Sequence, residues 1–225
     1  MSELLSIVTI DGPSGVGKST VSRRVATELG FTYLDTGAMY RAVALGCVQQ
    51  GIDIGDETAV ASLLDSLEIR LVPPGPGEDD VRVLLNGRDI SAAIRTPEMG
   101  MQASRVSAQP RVRTVLTGMQ QEMGRAGNLV AEGRDTGTVV FPNAAWKFYL
   151  DAAPEERARR RIAQLRQKGV EVDEQELLAQ IIKRDKDDRE RTIAPLARAA
   201  DAVLIDSSDM DVDEVIARML AVIRK

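Results

Sequence analysis

Nine consecutive residues, Gly12-Pro13-Ser14-Gly15-Val16-Gly17-Lys18-Ser19-Thr20, fit the pattern G-x-x-x-x-G-K-[ST], a spacing that wraps backbone around a phosphate. The glycines at 12, 15 and 17 allow positive φ and a close approach that a Cβ would obstruct. The freed amides, with the positive end of the following helix, then point at the anion. Lys18 can reach the β- and γ-phosphates, and the Ser19 hydroxyl can ligate Mg²⁺. An apolar, β-rich run over 4–10 leads in and a helical pattern over 21–29 leads out, which is the strand–loop–helix setting this chemistry needs. The stretch is read as a nucleoside triphosphate site.

A phosphate loop alone does not separate a kinase from a GTPase or an ATP-driven machine. The guanine-reading strings N-K-x-D and D-x-x-G are both absent, and 225 residues is short for a motor. A small two-substrate phosphotransferase remains, and it needs a second anion site facing the loop. Three arginine-bearing segments can supply one: 34–41 after the second expected strand, 131–137 at the end of the third, and 184–191 beyond a helix. In the first, Thr36 and Gly37 open a helix, so its amides and Arg41 one turn on can meet a phosphate together. Any one of the three, taken alone, is better read as solvated charge. Three in one short chain, two of them at the strand ends where open α/β sheets bind ligands, favour a site.

Composition narrows the chemistry. There is no histidine, which excludes histidine triads and histidine metal sites, so any proton transfer falls to a carboxylate, a lysine or the substrate. The 23 arginines outnumber 6 lysines, a bias toward the side chain that grips phosphate with two parallel bonds. A net charge of −5 argues against general nucleic-acid binding. No apolar run approaches membrane-spanning length, and because the N-terminus runs straight into the first strand no signal peptide is expected. The single cysteine, Cys47, sits among Val43, Ala44 and Val48 and reads as a small core residue; it suits a reducing, cytoplasmic setting.

The elements that must position these groups alternate as in a parallel α/β sheet. Strands are expected over 5–10, 32–34, 129–132, 147–150 and 202–206, and helices over 18–29, 37–50, 58–66, 98–108, 110–124, 154–168, 174–184 and 212–224. Pro110 suits a first helical turn, and Asp211 with Glu214 three residues on suits a capping box. Leu177, Leu178, Ile181 and Ile182 predict a buried stripe on their helix, while the last helix reads as core packing with no dimer face, so a monomer is expected. One segment breaks the alternation: 68–72 and 81–85 read as strands joined by the turn-rich 73–80, with Asn86-Gly87 a further turn and 88–90 a third strand. Antiparallel hairpins inside a parallel protein predict a lobe outside the main sheet.

These stretches also carry a resemblance. The chain is similar over essentially its whole length to the bacterial cytidylate kinases, a branch of the nucleoside monophosphate kinases. The likeness rests on 10–20, 34–41, Pro110-Arg111-Val112-Arg113, the string Glu132-Gly133-Arg134-Asp135-Thr136-Gly137-Thr138-Val139-Val140-Phe141-Pro142, and 184–196 ending in Ala194-Pro195-Leu196. It implies transfer from ATP to CMP or dCMP with Mg²⁺, ATP lying on residues 12–20 with Ser19 at the metal. It further implies an α/β P-loop NTPase fold, a five-stranded parallel sheet flanked by helices, with a small antiparallel NMP-binding insert and a helical lid. The implied division is a core of 1–35, 110–153 and 192–225, an NMP-binding region 36–109 and a lid 154–191. Matched positions place Thr36, Arg41, Arg134 and Arg184 at the acceptor phosphate, Ser104, Arg113, Asp135 and Arg191 at the cytosine, and Asp188 at the sugar. Arg157 and Arg161, spaced i, i+4 in the lid, are expected over the transferring phosphoryl beside Lys18, Arg134 and Arg184; a solvated helix with Glu155 and Glu156 pairing to nearby arginines competes with this for each of them. Thr36 stands where many relatives have serine, Ser19 where some have glycine, and Asp187 where another arginine is often found. Other acceptors stay open on the residues alone: UMP, or an alcohol with Asp35 or Asp135 as base. So does a switch protein that binds ATP without an acceptor.

Overall fold

The leading apolar run forms β1 (Leu5–Asp11), in which Ile7, Val8, Thr9 and Ile10 are all fully buried. That is the signature of a central strand covered on both faces. The structure, a computed structural model, describes residues 5–74, 80–167 and 169–225. Leu4 of the leading apolar run, residues 75–79 of the expected hairpin turn and Lys168 at the end of the expected sixth helix lie outside the described residues.

Helix α1 (Lys18–Leu29) follows the glycine-rich loop, then β2 (Thr32–Asp35), α2 (Thr36–Gln49) and α3 (Glu57–Leu64). Strands β3 (Ile69–Val72), β4 (Arg82–Leu85) and β5 (Arg88–Asp89) form a separate antiparallel sheet in that order. Asn86 and Gly87, at φ of 49° and 76°, make the tight turn between β4 and β5. Helices α4 (Pro97–Ser107) and α5 (Pro110–Met123) lead to β6 (Leu129–Gly133), a π-helical turn at Thr136–Val140 and β7 (Ala144–Asp151). Then come α6 (Pro154–Gln167), α7 (Glu174–Glu190), β8 (Val203–Asp206) and α8 (Val212–Ile223).

The five long-range strands pair in parallel in the order β2-β6-β1-β7-β8. From β1 the chain runs to the edge at β2, returns to β6 beside β1, then crosses to β7 and β8, so the crevice beyond the C-terminal end of β1 is the switch point at which such sheets bind ligands. One face carries Val8, Ile10, Val130 and Phe148 against Val21 and Val25 of α1 and Val215, Met219 and Ile223 of α8. The other packs Ile7, Leu129 and Ala131 against α2, α4 and α5 through Met39, Val43, Ala103, Val112 and Leu116. Cys47 is fully buried in that second core, as its neighbours predict.

Both start signals are realised: Pro110 is in the first turn of α5, and Asp211 and Glu214 form a reciprocal capping box. Two expectations are corrected. Helix α7 runs on to Glu190 rather than stopping at 184, because Asp185 and Asp188, three residues apart, face inward to buried arginines and hold the charged run helical. The stripe on that helix is only partly realised: Ile181 is buried, but Ile182 is 49% exposed because only a narrow face of α7 is covered.

Candidate active site

The loop between β1 and α1 turns on close contacts. Gly12 has φ of 153°, and a Cβ there would lie 2.0 Å from the Leu150 carbonyl oxygen, so only glycine fits. Gly17 caps α1 in the left-handed conformation at φ of 97°. Lys18, the first residue of that helix, is buried and folds back over the loop, Nζ donating to the carbonyls of Gly12 (2.8 Å) and Pro13 (2.7 Å). Burial, aided by Arg134 and Arg184 and opposed by Glu132 and Asp11, pushes its ammonium down to about 7. Ser19 and Thr20 are exposed on the first turn.

Facing the lysine is a cluster of guanidinium groups from three elements. Arg41, one turn into α2, pairs with Asp35 at 2.8 Å, and the other Asp35 oxygen caps the helix at the Ala38 amide. Arg134, just after β6, pairs with Asp188 of α7 at 2.8 Å. Arg184, a turn earlier on α7, is pushed down to about 10 by burial, the Arg134 and Arg41 guanidiniums adding to this against Asp188 and Asp185. Nε of Arg41 and Nε of Arg184 are buried with no hydrogen-bond partner in the protein, so donors remain over for an acceptor. Placing three cations together costs electrostatic energy that an anion among them would relieve.

Beside this cluster lies a second arrangement. Asp135 receives Arg113 on one oxygen and Arg191 (3.4 Å) on the other. Arg113 also donates to the Ser107 carbonyl at 3.1 Å, and its guanidinium stacks 5.5 Å above the Tyr40 ring. Arg191 donates to the Ala194 carbonyl at 2.6 Å and reaches the Ser107 hydroxyl at 3.5 Å. A carboxylate flanked by arginines offers one acceptor and several donors in a plane, which can match a heterocycle edge.

Most residues that the sequence singled out therefore lie together: Lys18, Arg41, Arg134 and Arg184 form one electrostatically coupled group, and Asp188, paired with Arg134, connects it to Arg191, Asp135 and Arg113. Ser104 stands on α4, part-buried, its carbonyl accepting from the Ser107 hydroxyl. The Thr36 hydroxyl donates to the Glu132 carbonyl at 2.7 Å, tying α2 to β6. Arg157 is a correction. It is 1% exposed and its guanidinium is committed to the Ala152 carbonyl (2.9 Å), the Ser14 carbonyl (3.0 Å) and Asp185 (2.5 Å). It braces the phosphate loop from behind and is not a lid arginine with donors to offer. Arg161, its i+4 neighbour, is only part-buried and makes a weak 3.5 Å bond to Gln164. Glu156 pairs with Arg159 and Arg160, the solvated-helix arrangement.

Sequence reasoning missed four contributors. Asp11 is a buried carboxylate that takes the amides of Thr136 and Gly137 and the Thr136 hydroxyl at 2.7–2.8 Å, drawing the π-helical turn into the cleft. Burial still raises its pKa, with those bonds working the other way. Its signal was a lone acid ending an apolar central strand. Tyr40 and Ser107, under and beside Arg113, had no sequence signal beyond proximity to Arg41 and Pro110. Tyr33, which donates to Glu132, read only as a strand residue.

Phosphate loop, parallel sheet order and facing arginine cluster define a P-loop kinase. The cytidylate kinase family model matches residues 8–225. A protein named cytidylate kinase from Syntrophotalea carbinolica is 51% identical across 96% of this chain and 91% of its own length. One of the same name from Methylococcus capsulatus is 48% identical across 100% and 99%, and one from Vibrio vulnificus 47% across 98% and 96%. The chain belongs to the cytidylate kinase family. Among solved structures, an uncharacterized protein from Eubacterium ventriosum shares the fold at TM-score 0.54, with 12% identity over 97% of this chain and 98% of that one.

Proposed function

We propose that this chain transfers the γ-phosphoryl group of ATP to CMP or dCMP, giving ADP and CDP or dCDP, and that it serves pyrimidine nucleotide metabolism in the cytoplasm. The observation that carries the reading is the set of spare guanidinium donors on Arg41 and Arg184 beside Arg134, in electrostatic reach of Lys18. No helix among the described residues is long and apolar enough to cross a membrane. ATP lies along residues 12–20, its outer phosphates meeting Lys18 and the α1 amides. The acceptor phosphate sits among Arg41, Arg134 and Arg184. The cytosine edge meets Asp135, whose carboxylate accepts from the exocyclic amine, with Arg113, Arg191 and Ser104 at the ring nitrogen and carbonyl. Asp188, buried and held below the usual carboxylate range by Arg134 against the cost of burial, faces the sugar. Residues 36–109 act as the acceptor lobe and 154–191 as the lid, over a core of 1–35, 110–153 and 192–225, and the chain works as a monomer.

An acceptor phosphate oxygen is already nucleophilic, so no strong base is required and the lack of histidine is no handicap. The arginines and Lys18 orient donor and acceptor in line and neutralise charge as it spreads over the phosphoryl oxygens. Closing the lobe and lid keeps water from the γ-phosphate until the acceptor is bound. The residues also fit Mg²⁺ arriving with ATP. The exposed Ser19 hydroxyl, on the first turn after the loop, is the residue that would hold such a cation beside the phosphates. Held there, the ion would supply positive charge to offset that of the phosphates, beside Lys18 and the arginines.

A coupled ADP-release assay with CMP, dCMP, UMP and AMP tests the assignment. CMP and dCMP are expected to exceed UMP by at least about tenfold in kcat/KM, since UMP has no amine for Asp135. Asp135→Ala is expected to remove most of that gap. A preference for AMP, or steady ATP hydrolysis unaffected by CMP, rejects it.

The depressed Lys18 ammonium makes a second expectation. A free-enzyme value of about 7 rises once triphosphate oxygens surround the group. ATP binding above pH 7 therefore takes up protons, approaching about one per ATP near pH 8.5, and affinity falls as pH climbs. Calorimetry in buffers of different ionisation enthalpy measures this; zero uptake at that pH refutes it.

A further inference from the structure

The π-helical turn at Thr136–Val140 opens with amides that need an acceptor, yet Asp135, the residue in the capping position, makes no side-chain bond to it. An aspartate at that position ordinarily bonds to the amides of its own turn. Here the acceptor comes from 125 residues away in the chain. The carboxylate of Asp11, the last residue of β1, takes the Thr136 amide (2.8 Å) and hydroxyl (2.7 Å) on one oxygen and the Gly137 amide (2.8 Å) on the other. The register sets Asp11 beside Gly133, so the chain leaves β6 and folds back over the strand end. A Cβ on Gly133 would lie 2.7 Å from the Thr136 methyl, a measure of how tight that return is. Asp11 and Thr136 are both buried, where an unmet amide is costly.

Capping from a distant strand has a consequence for Asp135. With its own turn already satisfied, its carboxylate points away from that turn and meets Arg113 and Arg191. We propose that Asp11 is a positioning residue for reading the acceptor base: by capping the 136–140 turn from β1, it leaves the Asp135 carboxylate free to face the cytosine. This rests on the reading that Asp135 meets the base. In Asp11→Asn the side chain keeps one acceptor oxygen, and its NH₂ faces the Gly137 amide, donor against donor. The Asp135 carboxylate then turns back to the orphaned amide. CMP binds only to the molecules in which it is free, and the apparent affinity falls by that fraction. Charge alone predicts the opposite. Asp11 lies within electrostatic reach of Asp135 and Lys18, and deleting a negative charge beside an anion site strengthens anion binding.

The test is calorimetric binding of CMP and of ATP with Mg²⁺, each alone, together with the kcat/KM ratio of CMP to UMP. Asp11→Asn is expected to weaken CMP about tenfold, to leave ATP unchanged or tighter, and to shrink the CMP-to-UMP ratio about tenfold. Asp135→Ala is expected to shrink that ratio as far, and the double variant no further. If Asp11→Asn binds CMP as well as wild type or better, weakens CMP and ATP equally, keeps the ratio, or adds fully to Asp135→Ala, the inference is wrong. If Asp11→Asn does not fold, Thr136→Val reads the same grip from the donor side. It is expected to shrink the ratio about threefold while Thr136→Ser retains it; an unchanged ratio in Thr136→Val, or an equal loss in both, overturns the inference. Wild-type protein that binds ATP but not CMP, or that shows no preference for CMP over UMP, defeats the earlier reading instead.

Discussion

Lys18→Ala lowers kcat for CMP phosphorylation by about a thousandfold, while its melting temperature stays within a few degrees of wild type. The magnitude follows from removing a fixed cation from the oxygens on which charge develops, a loss of roughly 3–4 kcal/mol of transition-state stabilisation. The fold survives because Lys18 is costly where it stands. Its ammonium is buried near Arg134 and Arg184, and its hydrogen-bond partners in the ligand-free protein are two loop carbonyls. Truncation relieves that burial and like-charge repulsion, so no stability is lost on their account. Steady-state kinetics with both substrates saturating, alongside a thermal melt, reads both halves. A variant with near-native kcat shows that transfer does not depend on this loop; one that no longer folds shows that the lysine is structural.

Asp185→Ala has the largest expected effect on stability. Asp185 and Arg157 form an ion pair at 2.5 Å with side chains only 4% and 1% exposed. Removing the carboxylate leaves a guanidinium charge buried against the Ser14 and Ala152 carbonyls alone. Breaking one side of such a pair costs about 3–5 kcal/mol, far more than the pair contributes relative to a well-packed apolar replacement. For a chain of this size that lowers the melting temperature by about 10 °C. Arg157 also holds the Ser14 carbonyl of the phosphate loop, so the surviving fraction is expected to show a raised KM for ATP with a smaller change in KM for CMP. Surface pairs nearby provide the contrast. Arg159→Ala, which removes an exposed partner of Glu156, should shift the melt by no more than about 2 °C. Equal effects from the two substitutions contradict the assignment of Arg157 as a buried brace.

Much of the molecule was legible in the residues because its requirements are local. The phosphate loop demands glycine where φ is positive or backbone approaches within contact, and Gly12 and Gly17 meet those demands within one strand–turn–helix unit. Strand β1, buried on both faces over its middle, had to be largely apolar there, with Ile7, Val8 and Ile10 fully enclosed. Asn86-Gly87 fixes a hairpin turn by its own dihedral preferences. Arg41 and Arg134 were found because they follow strand ends, and a parallel sheet brings such ends to one edge.

Partners far apart in the chain were not legible. The pairs Arg157–Asp185, Arg134–Asp188 and Arg113–Asp135 span 28, 54 and 22 residues. The sequence specified side chains of opposite charge in quantity; only packing chose which of them meet. Arg157 and Arg161 look alike as charges on one helix, yet one is locked against the loop and the other is half in solvent, because α7 covers one side of α6 and leaves the next turn open. For the same reason the run 184–191 was set beyond a helix ending at 184, whereas α7 continues through it to Glu190. Asp185 and Asp188 gain buried partners only once α6 and β6 are in place, and burial raises the strength of an ion pair enough to override local preference.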